Sequence, residues 1–258
     1  MLRVGLKPDP QINANIGPIY LDAYLLLTFY IMPAVGSDKY QFEYFESQLG
    51  YFKQLTLGQY ANNNDKRIIK WVNDINIFVK GDMPTVLSDE IDSIIAELNH
   101  IVSGIQLTRV TSEEQANYLV ITGSTETNYL NFHPNVPLDS RERFGNFLMY
   151  PNSDPEKSVA GFLVYPNADH EIIYGSMYID FDLDKYRRHI LRQLLTQSLG
   201  IPYKSRKYGD SIFFYHPSMD MVTRYSHLDK TIIDKLYDKC VKAGMDKFEV
   251  DHALVNGC

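Results

Sequence analysis

The spacing of apolar residues changes several times along this chain, and each change predicts an element. Ile75 to Val79 (INIFV) is a β-branched and aromatic run closed by Gly81 and Pro84, which predicts a strand. Ser88 then precedes Ile91, Ile94, Ile95, Leu98 and Val102, spaced three or four apart; this predicts an amphipathic helix capped by Ser88 and stopped at Gly104. Ile105 to Val110 and Tyr118 to Thr122 follow as strands, so the first crossover should be right-handed and its strands parallel. Gly161 to Tyr165 and Ile172 to Asp180 read as two more strands joined by a turn-rich loop, PNADHE. A helix opening at Asp184 or Lys185 aligns Ile190, Leu191, Leu194, Leu195, Ser198 and Leu199 in one stripe, and Gly200 with Pro202 ends it. Ser226 and Asp229 form a capping-box pair before Leu228, Ile232, Ile233, Leu236 and Tyr237, a last amphipathic helix running to Gly244.

Other stretches carry less pattern. Residues 1–37 read as a leader, with the apolar run Ala23 to Gly36 either a secretory h-region or a buried helix. It is short for a membrane span, and none is expected in the mature chain. Residues 38–65 read as a helical extension ending in the loop signal Asn62 to Asp65, and 66–258 as the main domain. Gly123 to Pro155, rich in Asn, Pro, Ser and charge, reads as a functional loop or an insertion.

A net charge of −7 spread along the chain disfavours nucleic acid, which selects a basic face. The one basic concentration, Lys204, Arg206 and Lys207 beside Arg187, Arg188 and Arg192, reads as a solvated surface. Two cysteines, Cys240 and Cys258, exclude a disulfide framework and a cysteine-based zinc site; they either pair once or remain as a buried and a free thiol.

Chemistry concentrates on the helix ending at Gly200. There the run is Gln193-Leu194-Leu195-Thr196-Gln197-Ser198-Leu199-Gly200-Ile201-Pro202-Tyr203. A strand leading to a helix that closes T-x-x-L-G resembles the zincin superfamily of metallopeptidases, whose helix carries H-E-x-x-H and, in metzincins, x-x-G-x-x-H. Gly200 matches the glycine, whereas Gln193 and Gln197 stand at the two histidines, Leu194 at the glutamate and Tyr203 at the third histidine. Ser211 to Phe214 (SIFF), Trp71, and LDKTIIDKLYD running into AGM at Leu228 to Met245 make the chain more similar to an uncharacterised bacterial zincin-like family, the domain of unknown function 2927, over roughly Trp71 to Met245. The resemblance implies an α+β fold. It would have a mixed, mostly parallel twisted sheet with an antiparallel edge, a long helix after the first strand, a central helix at the degenerate site and a C-terminal helix.

Zinc catalysis needs about three protein ligands, and a base to take a proton from the bound water. Two amides and a leucine supply neither, so no metal, cofactor or catalytic residue is expected at this helix. The reading that follows is a non-catalytic domain, exported to the periplasm or beyond, holding a peptide, protein or surface polymer. His189, Gln193, Gln197, Tyr203 and Asp210 would line the cleft, with strand Gly161 to Tyr165 as the pairing edge. Hydrogen bonding of the two glutamines to neighbouring strands or loops is the plainer account of them. A hydrolase using Asp180, His189, Tyr203 and Asp210, and a purely structural domain, are the alternatives. Weaker candidates are a Met-turn-like Ser218-Met219-Asp220, the loop cluster Asp169, His170 and Glu171, and a site from His170, His189 and His216.

Overall fold

The computed structural model describes residues 37–58, 66–123, 144–149, 159–180, 187–215 and 222–258. The chain divides into two compact units, Met1–Phe45 and Glu46–Cys258. Helix α1 (Ser37–Leu57) crosses the boundary; of the first unit only its backbone over residues 37–45 is described, and the leader and its run Ala23 to Gly36 lie outside the described residues.

The second unit is α+β. Strands β1 (Lys70–Trp71), β2 (Ile75–Lys80), β3 (Leu107–Arg109), β4 (Tyr118–Gly123), β5 (Phe144–Met149), β6 (Val159–Pro166) and β7 (Glu171–Asp180) form one sheet ordered β3-β2-β4-β7-β6-β5, with β1 paired to β7. The β2–β3, β2–β4, β4–β7 and β1–β7 pairs are parallel, and β6 runs against both β5 and β7. Parallel strands need crossovers, and helix α2 (Thr85–Asn99) supplies the one from β2 to β3.

Parallel sheets are covered on both faces, and alternate residues of the central strands divide accordingly. Tyr118, Val120, Phe162, Val164, Met177 and Ile179 enter the main core, while Leu119, Ile121, Leu163, Tyr165 and Tyr178 form a second cluster. The main core also takes in α1 from Tyr51, Phe52 and Leu55 onward, together with α3 (Arg187–Gln197), α4 (His227–Leu236) and Val250 of α5 (Lys247–Asn256).

Four expectations need correction. Ser88 does not cap α2: the N-cap is Pro84, and the Ser88 hydroxyl accepts instead from Arg109 at 2.8 Å. Strand β6 is not an edge, because β5, inside the segment expected to be loop, pairs along its length. Helix α4 ends at Leu236 rather than Gly244, and a further helix, α5, opens at a second capping box, Asp246 and Glu249. Arg192 is not solvated; it is 2% exposed.

Candidate functional site

Helix α3 lies against β6, β7 and α2, so most of its circumference meets protein. Leu194 and Gln197 are fully buried and Gln193 is 1% exposed. A buried amide must find partners, and Gln193 donates from Nε2 to the Ile212 carbonyl at 2.6 Å, while Gln197 donates to Pro202 O at 3.2 Å. The plainer account of the two glutamines, hydrogen bonding to neighbouring loops, describes both Nε2 groups, while the buried Gln197 Oε1 has no partner among the described residues. His189, one turn earlier, is 3% exposed, and its Nδ1 donates to Val222 O at 2.6 Å.

Segment 211–213, which receives Gln193, is held in turn by Asp229. Its carboxylate accepts from Ser211 Oγ at 2.6 Å, Ile212 N at 3.1 Å and Ser226 N at 2.8 Å, and the Tyr51 hydroxyl donates to Ser211 Oγ at 3.0 Å. The capping box legible in sequence is therefore also the clamp joining α1, this segment and α4. Burial raises the Asp229 pKa against the opposing pull of the Ser211 hydrogen bond and its other donors, and burial likewise raises Tyr51.

On its other flank α3 is pinned by charge. Arg192 donates to Glu97 at 2.9 and 3.0 Å and to Glu90 at 3.1 Å, and its guanidinium lies 4.7 Å from the Tyr225 ring centroid. Burial opposes the cation most strongly, yet the two carboxylates outweigh it and raise the Arg192 pKa. At the C-terminal end Trp71 Nε1 donates to Ser198 O at 3.0 Å and the Tyr237 hydroxyl to Leu199 O at 2.9 Å, satisfying carbonyls the helix leaves open. Gly200, at φ +111°, passes so close to the Ile69 carbonyl that a Cβ would collide with it. This glycine is required by the packing, whatever chemistry the helix carries.

The remaining candidates disperse. Tyr203 is half-buried, and its hydroxyl accepts from Lys66 Nζ at 3.0 Å. Asp210 is exposed in a turn, and Asp180 ends β7 opposite Gly123, its side chain outside the described residues. His216 and Ser218 to Asp220 also lie outside them. Asp169 and Glu171 donate their backbone N–H groups to Asn167 Oδ1 at 3.0 and 2.9 Å, and His170 takes φ +66°, so turn chemistry accounts for that cluster. Among the described residues no three His, Cys, Asp or Glu side chains could jointly hold a metal ion. The degenerate positions themselves do not fit zinc, since Gln193 turns its amide N–H toward a carbonyl and Leu194 has no donor atom.

A cleft the sequence did not reveal lies elsewhere. About 400 Å³ in volume, it is bounded by β1, Ser103 to Ile105 and the loop after α4. Lys70 forms part of its wall, donating to Leu236 O at 2.6 Å and Val241 O at 3.0 Å; burial, reinforced by Lys242, lowers its pKa to about 8. The loop after α4 is closed by a disulfide between Cys240 and Cys258, so the pairing left open by the sequence is made. No helix among the described residues is long and apolar enough to cross a membrane.

No curated protein sequence matches the chain. Two solved structures, both of myroilysin, are similar at 12% identity and a TM-score of 0.39, covering 66% and 67% of this chain and 86% and 98% of theirs. Residues 47–256 match the family described as "Protein of unknown function (DUF2927)", which takes in the end of α1, the whole sheet and all the later helices, and the chain belongs to that family.

Proposed function

We propose that this domain is a non-catalytic, zincin-like binding module that holds an extended peptide or protein segment. The observation carrying the reading is the Gln193–Ile212 hydrogen bond at 2.6 Å beside a fully buried Leu194. Where a metallopeptidase presents ligands and a base to water, this helix presents packing and a structural clamp. Strand β5 is the outermost described strand on the antiparallel side, and there β-strand addition supplies main-chain hydrogen bonds to an extended partner. The Cys240–Cys258 disulfide supports export, since such bonds persist in oxidising compartments. The hydrolase reading needs His189 as a proton carrier, and a ring 3% exposed with Nδ1 committed to Val222 is poorly placed for that.

The test is metal analysis of the full chain after dialysis, paired with hydrogen exchange at residues 144–149 while peptides selected for binding are titrated in. Zinc well below one ion per chain and slowed exchange along β5 are expected. Stoichiometric zinc surviving dialysis, or peptide cleavage that disappears in Gln193→Ala, ends the reading.

A further inference from the structure

Segment 203–215 turns two faces in different directions. Ser205 forms an isolated parallel bridge with Phe214, giving Ser205 N to Phe213 O at 3.0 Å and Tyr215 N to Ser205 O at 2.8 Å. The backbone is therefore extended at Ser205, and the Ser205 side chain is 4% exposed. The chain bends at Arg206 and Lys207, so a half-buried Lys204 before the inward Ser205 and an exposed Arg206 after it fall in one short stretch. Lys207 adds a third cation. Arg206 lies over the Tyr215 ring at 5.2 Å and Lys207 over Tyr208 at 5.1 Å, which holds both heads in place. Tyr215 is 47% exposed.

Among the described residues none of these three cations pairs with a carboxylate, as Lys53, Arg67, Lys80, Arg109, Arg188 and Arg192 do, or donates to buried carbonyls, as Lys70 does. Lys204 is the sharpest case. Half-buried and with no counter-ion among the described residues, its amine is driven down to about 8 by burial. A cation withdrawn from water without a partner costs stability unless something else supplies the anion.

We propose that Lys204, Arg206 and Lys207 form a docking surface for a locally acidic segment of a partner protein. The net charge of −7 selects its charge distribution, because the overall field repels a long polyanion and only locally clustered carboxylates profit from this strip. The partner class rests on the peptide-binding reading above, but the strip involves neither β5 nor α3, so either can fail without the other.

The probe is an alternating Glu-Ser peptide, titrated onto the full chain at low ionic strength. Binding should weaken roughly tenfold or more in Lys204→Gln/Arg206→Gln, and little in Lys239→Gln/Lys242→Gln, which removes the same charge from exposed lysines at the cleft. Lys204→Arg/Arg206→Lys should retain binding, and thermal denaturation shows that each variant folds. In the wild-type chain the Lys204 amine, followed by carbon NMR, should titrate well above 8 once the peptide is bound. Absence of binding, equal loss in the two double variants, or tighter binding of a single-stranded oligonucleotide of equal charge overturns the proposal.

Discussion

The two ends of segment 203–215 are a few residues apart and obey opposite rules. At Ser211 to Phe213 every interaction turns inward: Asp229 gathers Ser211, Ile212 and Ser226, Gln193 takes the Ile212 carbonyl, and Tyr51 closes the chain of hydrogen bonds. At Lys204 to Lys207 three cations stand without a carboxylate among the described residues, one of them stripped of much of its water. Polar groups built only for stability end fully satisfied, as the first set is. Charge left unsatisfied at a loss to stability points to function instead.

Removing Asp229 is the largest way to break this contrast. Asp229→Ala leaves Ser211, Ile212 N and Ser226 N without their acceptor in the interior and should cost about 3 to 5 kcal/mol in urea-induced unfolding. Asp229→Asn, which keeps an acceptor oxygen, should fall between the two. A loss below ~1 kcal/mol would show that the segment is not clamped there.

How legible these regions were in the sequence follows from where their partners lie. Local signals were readable: the Ile91, Ile94, Ile95 and Leu98 stripe of α2, the Ser226–Asp229 box and the parallel pairing around β2 all stand as expected. Elements defined from a distance were not. Strand β5 exists because β6 pairs with it, and Gly145 and Asn146 interrupt any strand pattern in FGNFLM. Helix α5 leaves Phe248 and Val255 exposed, so its periodicity is weak, although Asp246-Lys247-Phe248-Glu249 carried a capping signal that went unread. Gln193 and Gln197 showed helical spacing and polarity. Gln197 bonds five residues on, to Pro202, but the Ile212 partner of Gln193 and the burial of both are set by tertiary folding, and so the expected cleft at α3 became interior.

A second effect is read in alkaline solution. Burial holds native Lys70 at about 8, well below an unfolded lysine near ~10.4, so between those values the unfolded chain binds more protons. Stability should therefore rise with pH in that window. Tyr51, Tyr118, Tyr225 and Tyr237 are shifted the other way, upward by burial. Above ~10 unfolded tyrosines lose protons that the native ones keep, and stability falls. Lys204, also held at about 8, contributes to the same rise, so unfolding free energy should peak near pH ~10 after a rise of ~1 to 3 kcal/mol, and Lys70→Met should remove part of the ascending limb while leaving the descent.

The smallest effect separates the two ends of the segment by sign. If Lys204 were part of the structural frame, replacing it would cost stability as replacing Asp229 does. Its desolvated amine has no anion among the described residues, so Lys204→Met, which keeps the aliphatic stem and removes the charge, should gain ~0.5 kcal/mol in thermal unfolding. The same variant should bind the alternating Glu-Ser peptide more weakly. Stability and affinity moving in opposite directions at one residue is what a charge kept for a partner produces. A loss of stability in Lys204→Met would place this lysine with Asp229, among the groups that hold the fold.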